Sequence, residues 1–327
     1  MKTLSNDTSS IGLSIYRVIL SFLVMKNMIF YYGMADSLFG ANAIANYSIY
    51  QQAMGASFFR YLEYPFYLPH ASQLFVVLIF VLAFLFLFGI YQRVVGTVFF
   101  AALMILNMRN NFILDGSDNV IQVTLPFLVL AHSYRHFIYD VRLRGLERFQ
   151  DNKVMSALID VVTSLATRGL MIQVCFIYFF TAVAKMQGTM WLNGTATYYT
   201  MRVEEFRQTD WNIPLTSNHY FVVLSTYFTV LWELSFAFLV WFRQTRNIVL
   251  LCGVLLHVGI WVFMRIDNFS WIMIGTYFVF VPDREYQLVG AYFTKWLNRL
   301  KGALGRVTTA EPAGLEAQVQ AVEVPQQ

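Results

Sequence analysis

Residues 169–199 read GLMIQVCFIYFFTAVAKMQGTMWLNGTATYY, and their interpretation decides both the fold and the site. The first half is an apolar run of a length that suits a transmembrane helix, for which about 17–25 residues are needed. The run ends at Lys185, and a turn rich in glycine and two tyrosines follow it. A lysine at this position is either an interfacial anchor or a desolvated base. The choice depends on which side of a membrane Lys185 faces.

The composition of the chain indicates a membrane protein. Of its 327 residues, 57% are hydrophobic and only 13% are charged, whereas soluble domains carry about 25% charged residues. We therefore predict an all-α polytopic membrane protein, a bundle of about eight transmembrane helices. The predicted spans are 11–32, 74–91, 94–108, 120–134, 169–186, 220–241, 247–264 and 268–282.

The basic residues between these spans are distributed unevenly. One alternate set of segments carries Lys2, Arg93, Arg135, Arg142, Arg144, Arg148, Lys153, Arg168, Arg243, Arg246, Arg284, Lys295, Arg299, Lys301 and Arg306. The other set carries Arg60, Arg109, Arg202, Arg207 and Arg265. Because cytoplasmic loops of membrane proteins are enriched in Lys and Arg, this asymmetry predicts that both termini are cytoplasmic. The net charge of +4 thus reflects membrane orientation and does not indicate nucleic-acid binding.

Three regions follow from this layout. Residues 1–285 form the predicted transmembrane domain. Residues 286–304 mix aromatic and basic side chains, which is typical of an interfacial amphipathic helix, and residues 305–327 are predicted to be a disordered tail. The loop 187–219 is expected to form a partly ordered cap over an outward cavity. Glu204 and Glu205 are expected to close this cap by ion pairs with Arg202 and Arg207.

Lys185 and His257 are the predicted catalytic residues, and both fall in the outward half of the predicted bundle. Tyr178 and Thr181 lie on the helical face of Lys185, which favours a polar site. His257 lies about 10 Å below the outer end of its span, and it is either a packing histidine or a functional one. Glu233 is predicted to lie outside the immediate site, as a partner of Arg17 or as part of a proton path.

Further polar residues near the predicted outer surface are candidates for substrate binding. They are Arg109, Asp115, Asp118, Tyr178, Trp191 and Arg265. For the two aspartates, the alternative is that they cap a helix at an outer turn. The chain contains no HExxH, GxSxG, Walker or CxxC motif, so zincin, hydrolase, P-loop and disulfide-exchange chemistry are not indicated, and no metal site is predicted.

Five segments carry a resemblance to a known family. In order, they are SIYRVIL (14–20), NNFILDGSDNVIQV (110–123), YFFTAVAKMQGTMWLNGTATYY (178–199), LWELSFAFLVWFR (231–243) and LLHVGIWVFMRIDNFSWIM (255–273). Together they resemble the HTTM family, the membrane domain shared with the vitamin K-dependent gamma-carboxylase, over residues 10–285. The resemblance implies that Lys185 is the base that deprotonates a reduced quinone. It also implies that His257 and residues 109–118 belong to the site.

The resemblance implies a membrane enzyme that uses a vitamin K-like quinol, with CO2 and O2 if carboxylation is retained, to modify a peptide or small substrate. Its implied partners are membrane lipid, the quinone and a secreted peptide. The expected location is the bacterial cytoplasmic membrane, with the active side extracytoplasmic. Bacterial single-domain members include proteins that help to mature a secreted sporulation-delaying toxin, so an accessory role in peptide maturation or export is an alternative. A proton-coupled transporter that uses Glu233 and His257 as a relay is another.

Overall fold

The computed structural model describes residues 9–41, 43, 49–50, 52, 58–131, 133, 136 and 153–309. Over these residues the chain is helical and contains no β-strand, which confirms the predicted all-α class for the described part. Residues 1–281 and 282–327 form two compact units.

The first unit is built almost entirely of helices. Within its described residues the α-helices are α1 (Ser10–Tyr32), α2 (Ala35–Phe39), α3 (Ala71–Leu87), α4 (Gln92–Arg109), α5 (Gly116–Leu130), α6 (Lys153–Lys185), α7 (Thr189–Leu192), α8 (Ala196–Arg202), α9 (Asn212–Ser217), α10 (His219–Leu239), α11 (Arg243–Met264) and α12 (Asp267–Tyr277). Short 3-10 helices cover Phe58–Tyr67, Asn111–Ile113 and Phe278–Phe280.

The predicted spans coincide with helices. Each of the eight predicted segments is occupied by one of α1, α3, α4, α5, α6, α10, α11 and α12. Four of these, α1, α6, α10 and α11, are long and apolar enough to cross a membrane, and α3 is a shorter apolar helix. Many large hydrophobic side chains on these helices are exposed, as lipid-facing residues are. The chain is therefore a membrane protein.

Helix α1 lies in the core of the first unit and packs against α3 and α12. Its close approach to the end of α12 depends on Gly12, where a Cβ atom would stand 2.0 Å from the carbonyl oxygen of Phe278. Tyr16 and Leu20 are fully buried one and two turns further along α1. Arg17 is fully buried beside them. A charged side chain in this position requires partners, and these are described below.

Residues 186–217, which we call the return segment, run back along α10 from the end of α6. The hydroxyl of Tyr227 donates to the carbonyl oxygen of Leu192 over 2.8 Å, and the amide of Thr197 donates to Oγ1 of Thr226 over 3.1 Å. Gly194 turns the chain between these contacts with a φ of 76°, a conformation that favours glycine. The return segment is thus folded against α10 as a packed layer.

The return segment is closed by a different set of contacts from those predicted. Arg202 donates to Oγ1 of Thr216 and to the hydroxyl of Tyr198, over 2.8 and 3.1 Å. Glu204 and Glu205 are exposed, and within the described residues neither forms an ion pair. The predicted closure by Glu–Arg pairs is therefore wrong. Exposed pairs contribute little, whereas Arg202 has neutral partners within reach.

The second unit contains one described helix, α13 (Asp283–Thr309). Its exposed hydrophobic side chains are Leu288, Val289, Tyr292, Phe293 and Trp296. This helix covers the segment 286–304, for which an amphipathic helix was predicted. It also extends to Thr309 and so includes the first five residues of the segment 305–327, for which disorder stays a prediction. The rest of that tail, residues 310–327, lies outside the described residues.

Candidate functional site

Five polar side chains meet where α6, α10, α11 and α12 pack together, and we call them the lysine cluster: Tyr178, Lys185, Glu233, His257 and Tyr277. Lys185, the last residue of α6, donates from Nζ to Oε1 of Glu233 on α10. The side chain of Lys185 is 20% exposed and that of Glu233 is 8% exposed. An ion pair with so little exposure has lost most of its hydration, so each charge depends on the other.

The position of Glu233 along α10 gives the level of the lysine cluster along that helix. Glu233 follows His219, the first residue of α10, by 14 residues, which corresponds to about 21 Å at 1.5 Å per residue. The return segment covers the intervening part of α10. The Lys185–Glu233 bond brings the end of α6 to this level of α10, and the position of Lys185 in the outward half of the membrane stays a prediction. After Lys185 the chain continues as the return segment, which packs along α10.

Tyr178 connects two other members of the lysine cluster, His257 and Tyr277. Its hydroxyl lies 2.8 Å from Nε2 of His257 on α11 and also hydrogen-bonds to the hydroxyl of Tyr277 on α12. Tyr178 stands two turns before Lys185 on α6, so the two side chains share a helical face, as the sequence predicted. All three partners are buried: Tyr178 is 3% exposed, His257 2% and Tyr277 4%. The chain of hydroxyl and imidazole groups can pass or hold a proton.

Two buried atoms in the lysine cluster have no hydrogen-bond partner within the described residues. They are Oε2 of Glu233 and Nδ1 of His257. Burying a polar atom without a partner costs about 1–3 kcal/mol, and other buried atoms such as Oε1 of Gln92 are also without a partner among the described residues. An imidazolium would leave an unpaired N–H at Nδ1, whereas neutral His257 can keep its proton on the bonded Nε2. The free Oε2 and Nδ1 atoms are where a bound molecule would complete the hydrogen bonding.

Aromatic rings enclose the lysine cluster. The ring centroid of Trp191, in the return segment, lies 4.9 Å from Nζ of Lys185, a distance suited to a cation–π contact. Trp232 and Phe236 pack on the ring of Tyr178, with centroids 4.9 and 4.5 Å away. The Trp191 ring thus covers the Lys185 ammonium, and the other two rings pack around Tyr178.

The loop before α5 contains the two predicted substrate-binding aspartates, and their contacts are local. Asp115 accepts from the amides of Ser117 and Asp118, and Asp118 accepts from the amide of Asp115, which makes a reciprocal cap at the start of α5. The capping alternative accounts for both carboxylates. The loop still approaches the lysine cluster, because Gly116 packs on the ring of Phe269, whose centroid lies 5.5 Å from that of His257.

The remaining predicted residues have separate positions. Arg109 is 1% exposed and donates to the carbonyl oxygen of Gly40 over 2.7 Å, with the ring of Tyr50 beside it. Arg265 follows the end of α11 with a φ of 56°, and its side chain is exposed. Neither arginine contacts a member of the lysine cluster through a described bond, so the structure gives no reason to retain them as substrate-binding residues.

Arg17 and Glu233 were predicted as possible partners, and the structure separates them. Arg17 donates to the carbonyl oxygens of Ser133 and His136, over 2.7 and 3.1 Å, beyond the C-terminal end of α5. Glu233, in contrast, contacts Lys185 directly. Glu233 was predicted to lie outside the immediate site, but it is the direct ion-pair partner of Lys185, the predicted base.

The sequence did not single out Tyr277, Trp232 or Phe236. All three stand in apolar runs rich in aromatic residues. In such runs the sequence does not distinguish a residue of a functional site from a lipid-facing or core residue. One local signal was available for Tyr277. Gly253 on α11 leaves space for both its hydroxyl and the ring of Trp232, but a glycine in an apolar span does not reveal its neighbour.

Comparison with known proteins adds nothing to this geometry: no protein-family model, no curated protein and no solved structure matches the chain.

Proposed function

We propose that the chain is an integral membrane enzyme resembling the vitamin K-dependent gamma-carboxylase, in which Lys185 removes a proton from the hydroxyl of a lipid-soluble quinol. The reaction then modifies a peptide or a small substrate. The observation that carries this proposal is the buried Lys185–Glu233 pair beside the unpartnered atoms of Glu233 and His257. A buried ion pair often costs more in desolvation than it returns, so its presence favours a functional role.

The residues of the lysine cluster suit a quinol. Its flat ring matches the aromatic side chains of Trp191 and Tyr178, and its hydroxyl groups match the free Oε2 of Glu233 and Nδ1 of His257. When bound, a reduced quinone would supply a weakly acidic hydroxyl and reducing equivalents, with O2 and CO2 as co-reactants if carboxylation is retained. The protein would orient the ring, exclude water and hold the proton at Lys185.

We also propose that the bundle crosses the membrane eight times, with both termini in the cytoplasm and the lysine cluster opening to the extracytoplasmic side. The loop-charge asymmetry supports this topology. Reporter fusions after residue 150 and at the C-terminus should both report a cytoplasmic position. An extracytoplasmic signal from either fusion would refute the topology.

The direct test of the enzyme proposal uses purified protein in lipid nanodiscs. The protein is incubated with reduced quinone, bicarbonate, oxygen and candidate secreted peptides, and the peptides are analysed by mass spectrometry. We expect a mass change in the peptide that requires the reduced form of the quinone, and we call this reaction quinol-dependent turnover. Oxidised quinone serves as the control. Failure to oxidise quinol or to change any peptide would refute the proposal.

One contact favours a second function, a proton-coupled transporter. The Tyr178 hydroxyl joins His257 and Tyr277 within a cluster that also holds Glu233, and such a chain is a possible proton relay. This alternative expects protein in liposomes to move protons down a gradient in the absence of quinol. The enzyme proposal expects no proton flux above that of empty liposomes.

A further inference from the structure

We infer that Glu233 is the final acceptor of the proton that Lys185 takes from the substrate hydroxyl. This inference rests on the proposed function and assigns a role within the same site. Its basis is the number of positive and negative charges around the buried Glu233 carboxylate.

In the described part of the chain, Glu233 has one charged partner, Lys185. Its Oε1 accepts from Lys185, its Oε2 has no partner within the described residues, and its side chain is 8% exposed. His257, another titratable base of the lysine cluster, bonds to Tyr178 and has an unpartnered Nδ1, which favours the neutral imidazole. Among the residues that the structure describes, the negative charge of Glu233 is therefore balanced by the Lys185 ammonium.

A substrate hydroxyl that loses its proton in this site becomes a second anion, and it requires the same ammonium. One buried cation cannot balance two buried anions, because an unpaired charge in a low-dielectric environment is very costly. The site stays neutral if Glu233 becomes a carboxylic acid as the oxyanion forms. The Lys185 ammonium then faces the oxyanion, with the ring of Trp191 stacked against it.

The proton transfers balance in two steps. First, an N–H bond of the Lys185 ammonium breaks and an O–H bond forms on Oε1 of Glu233, which leaves a neutral amine and a neutral acid. Second, the O–H bond of the substrate breaks and its proton forms a new N–H bond on Lys185. The net result is one proton moved from the substrate to Glu233, with the ammonium restored and no redox partner required.

This role predicts the sign of the effect of Glu233→Gln. If Lys185 worked alone as a base, removal of the carboxylate would free the amine, and turnover would be retained or increased. If Glu233 accepts the proton, the amide cannot replace it, and quinol-dependent turnover should fall by roughly 100-fold, as expected for the loss of an acid–base group. Glu204→Gln, at an exposed carboxylate of the return segment, is the matched control and should leave turnover unchanged.

An infrared measurement on the wild-type protein tests the same point without relying on the folding of a variant. Adding reduced quinone under anaerobic conditions should produce the carbonyl stretch of a protonated carboxyl group, and this band should persist in Glu204→Gln and be lost in Glu233→Gln. Wild-type-like turnover in Glu233→Gln, or no protonated-carboxyl band in the wild type although it binds and oxidises quinol, would overturn this inference alone. Absence of quinol binding by the wild type would overturn the proposed function, and the inference with it.

Discussion

Arg17 and Lys185 are two cations of the first unit whose surroundings differ in kind. Arg17, fully buried on α1, donates to the carbonyl oxygens of Ser133 and His136. Lys185, at the end of α6, donates to a carboxylate. These carbonyl groups lie beyond the end of α5 and remain neutral dipoles, so they can bind a cation without any proton exchange. A lysine next to a carboxylate can exchange a proton with it.

The groups around each cation extend this difference. Near Arg17, Ser14 donates to the carbonyl oxygen of Ser133, and Gln92 donates to the hydroxyl of Ser133. Amides and hydroxyls of this kind stay neutral, and arginine stays protonated. Around Lys185 stand a carboxylate, an imidazole and two phenols. The comparison indicates a structural role for Arg17, which links α1 to the residues after α5. It supports the proposed proton transfer in the lysine cluster, which has some cost in stability.

The largest effect that separates the two regions is expected for Lys185→Met. This variant leaves the Glu233 carboxylate buried without its partner, which should lower the free energy of unfolding by about 3–5 kcal/mol and abolish quinol-dependent turnover. The double variant Lys185→Met/Glu233→Leu removes both charges. It should recover wild-type stability but not activity, as measured by thermal unfolding in detergent. A double variant less stable than the single one would show that the pair is structural.

Arg17→Met should give the opposite pattern. Loss of the charged hydrogen bonds to Ser133 and His136 should lower the free energy of unfolding by about 3 kcal/mol. Turnover per folded molecule should stay at the wild-type level, because Arg17 contacts no member of the lysine cluster through a described bond. Unfolding curves and rates normalised to folded protein give both quantities. A large drop in normalised rate would place Arg17 in the functional site.

A matched pair of tyrosines sharpens the comparison at smaller magnitude. Tyr178→Phe removes the hydroxyl that joins His257 and Tyr277, and Tyr16→Phe removes a buried hydroxyl 2.7 Å from Oγ1 of Thr124. Each change should cost about 1–2 kcal/mol of stability. Only Tyr178→Phe should slow turnover, by roughly tenfold, the lower end for a group that assists proton transfer. Equal rates in the two variants would exclude the Tyr178 hydroxyl from the reaction.

The smallest expected effect concerns the two tryptophans of the return segment. Trp191→Leu removes the ring stacked on Lys185 and should cost about 0.5–2 kcal/mol. Trp211 is 71% exposed, so Trp211→Leu should stay within about 0.5 kcal/mol of the wild type. Turnover should fall only in Trp191→Leu, because water can reach Lys185 once the Trp191 ring is removed. A larger loss in Trp211→Leu would show that the segment is held differently from the described contacts.

The fold was largely predictable, because apolar runs such as those that form α1 and α10 carry their own signal in the sequence. The shared face of Tyr178 and Lys185 was predictable for the same reason, since it depends on helical spacing alone. The Lys185–Glu233 pair was not. It depends on where α6 ends relative to α10, and that is set by the return segment, whose packing through Tyr227 and Thr226 is a tertiary property.

The partner of Arg17 was not predictable from side-chain chemistry either. Opposite charges within predicted spans suggest pairing, and Glu233 was the available carboxylate. The carbonyl oxygens of Ser133 and His136 lie beyond the end of α5, and a sequence does not show where such backbone acceptors will point. For Asp115, by contrast, the capping alternative was visible, because an Asp immediately before a helical run is a common N-cap.

The central claim is that Lys185 acts as a proton-transfer group and not as a fixed charge. The most direct test is quinol-dependent turnover of Lys185→Arg beside Lys26→Arg, since Lys26 forms the other described lysine–carboxylate pair, 2.5 Å from Oδ2 of Asp267. Arginine keeps the positive charge and can still bond to the carboxylate, but it cannot become a neutral base. We predict that both variants fold, that Lys26→Arg keeps wild-type turnover, and that Lys185→Arg loses it by at least roughly 100-fold. Wild-type turnover in folded Lys185→Arg would contradict the claim and leave Lys185 as a structural cation.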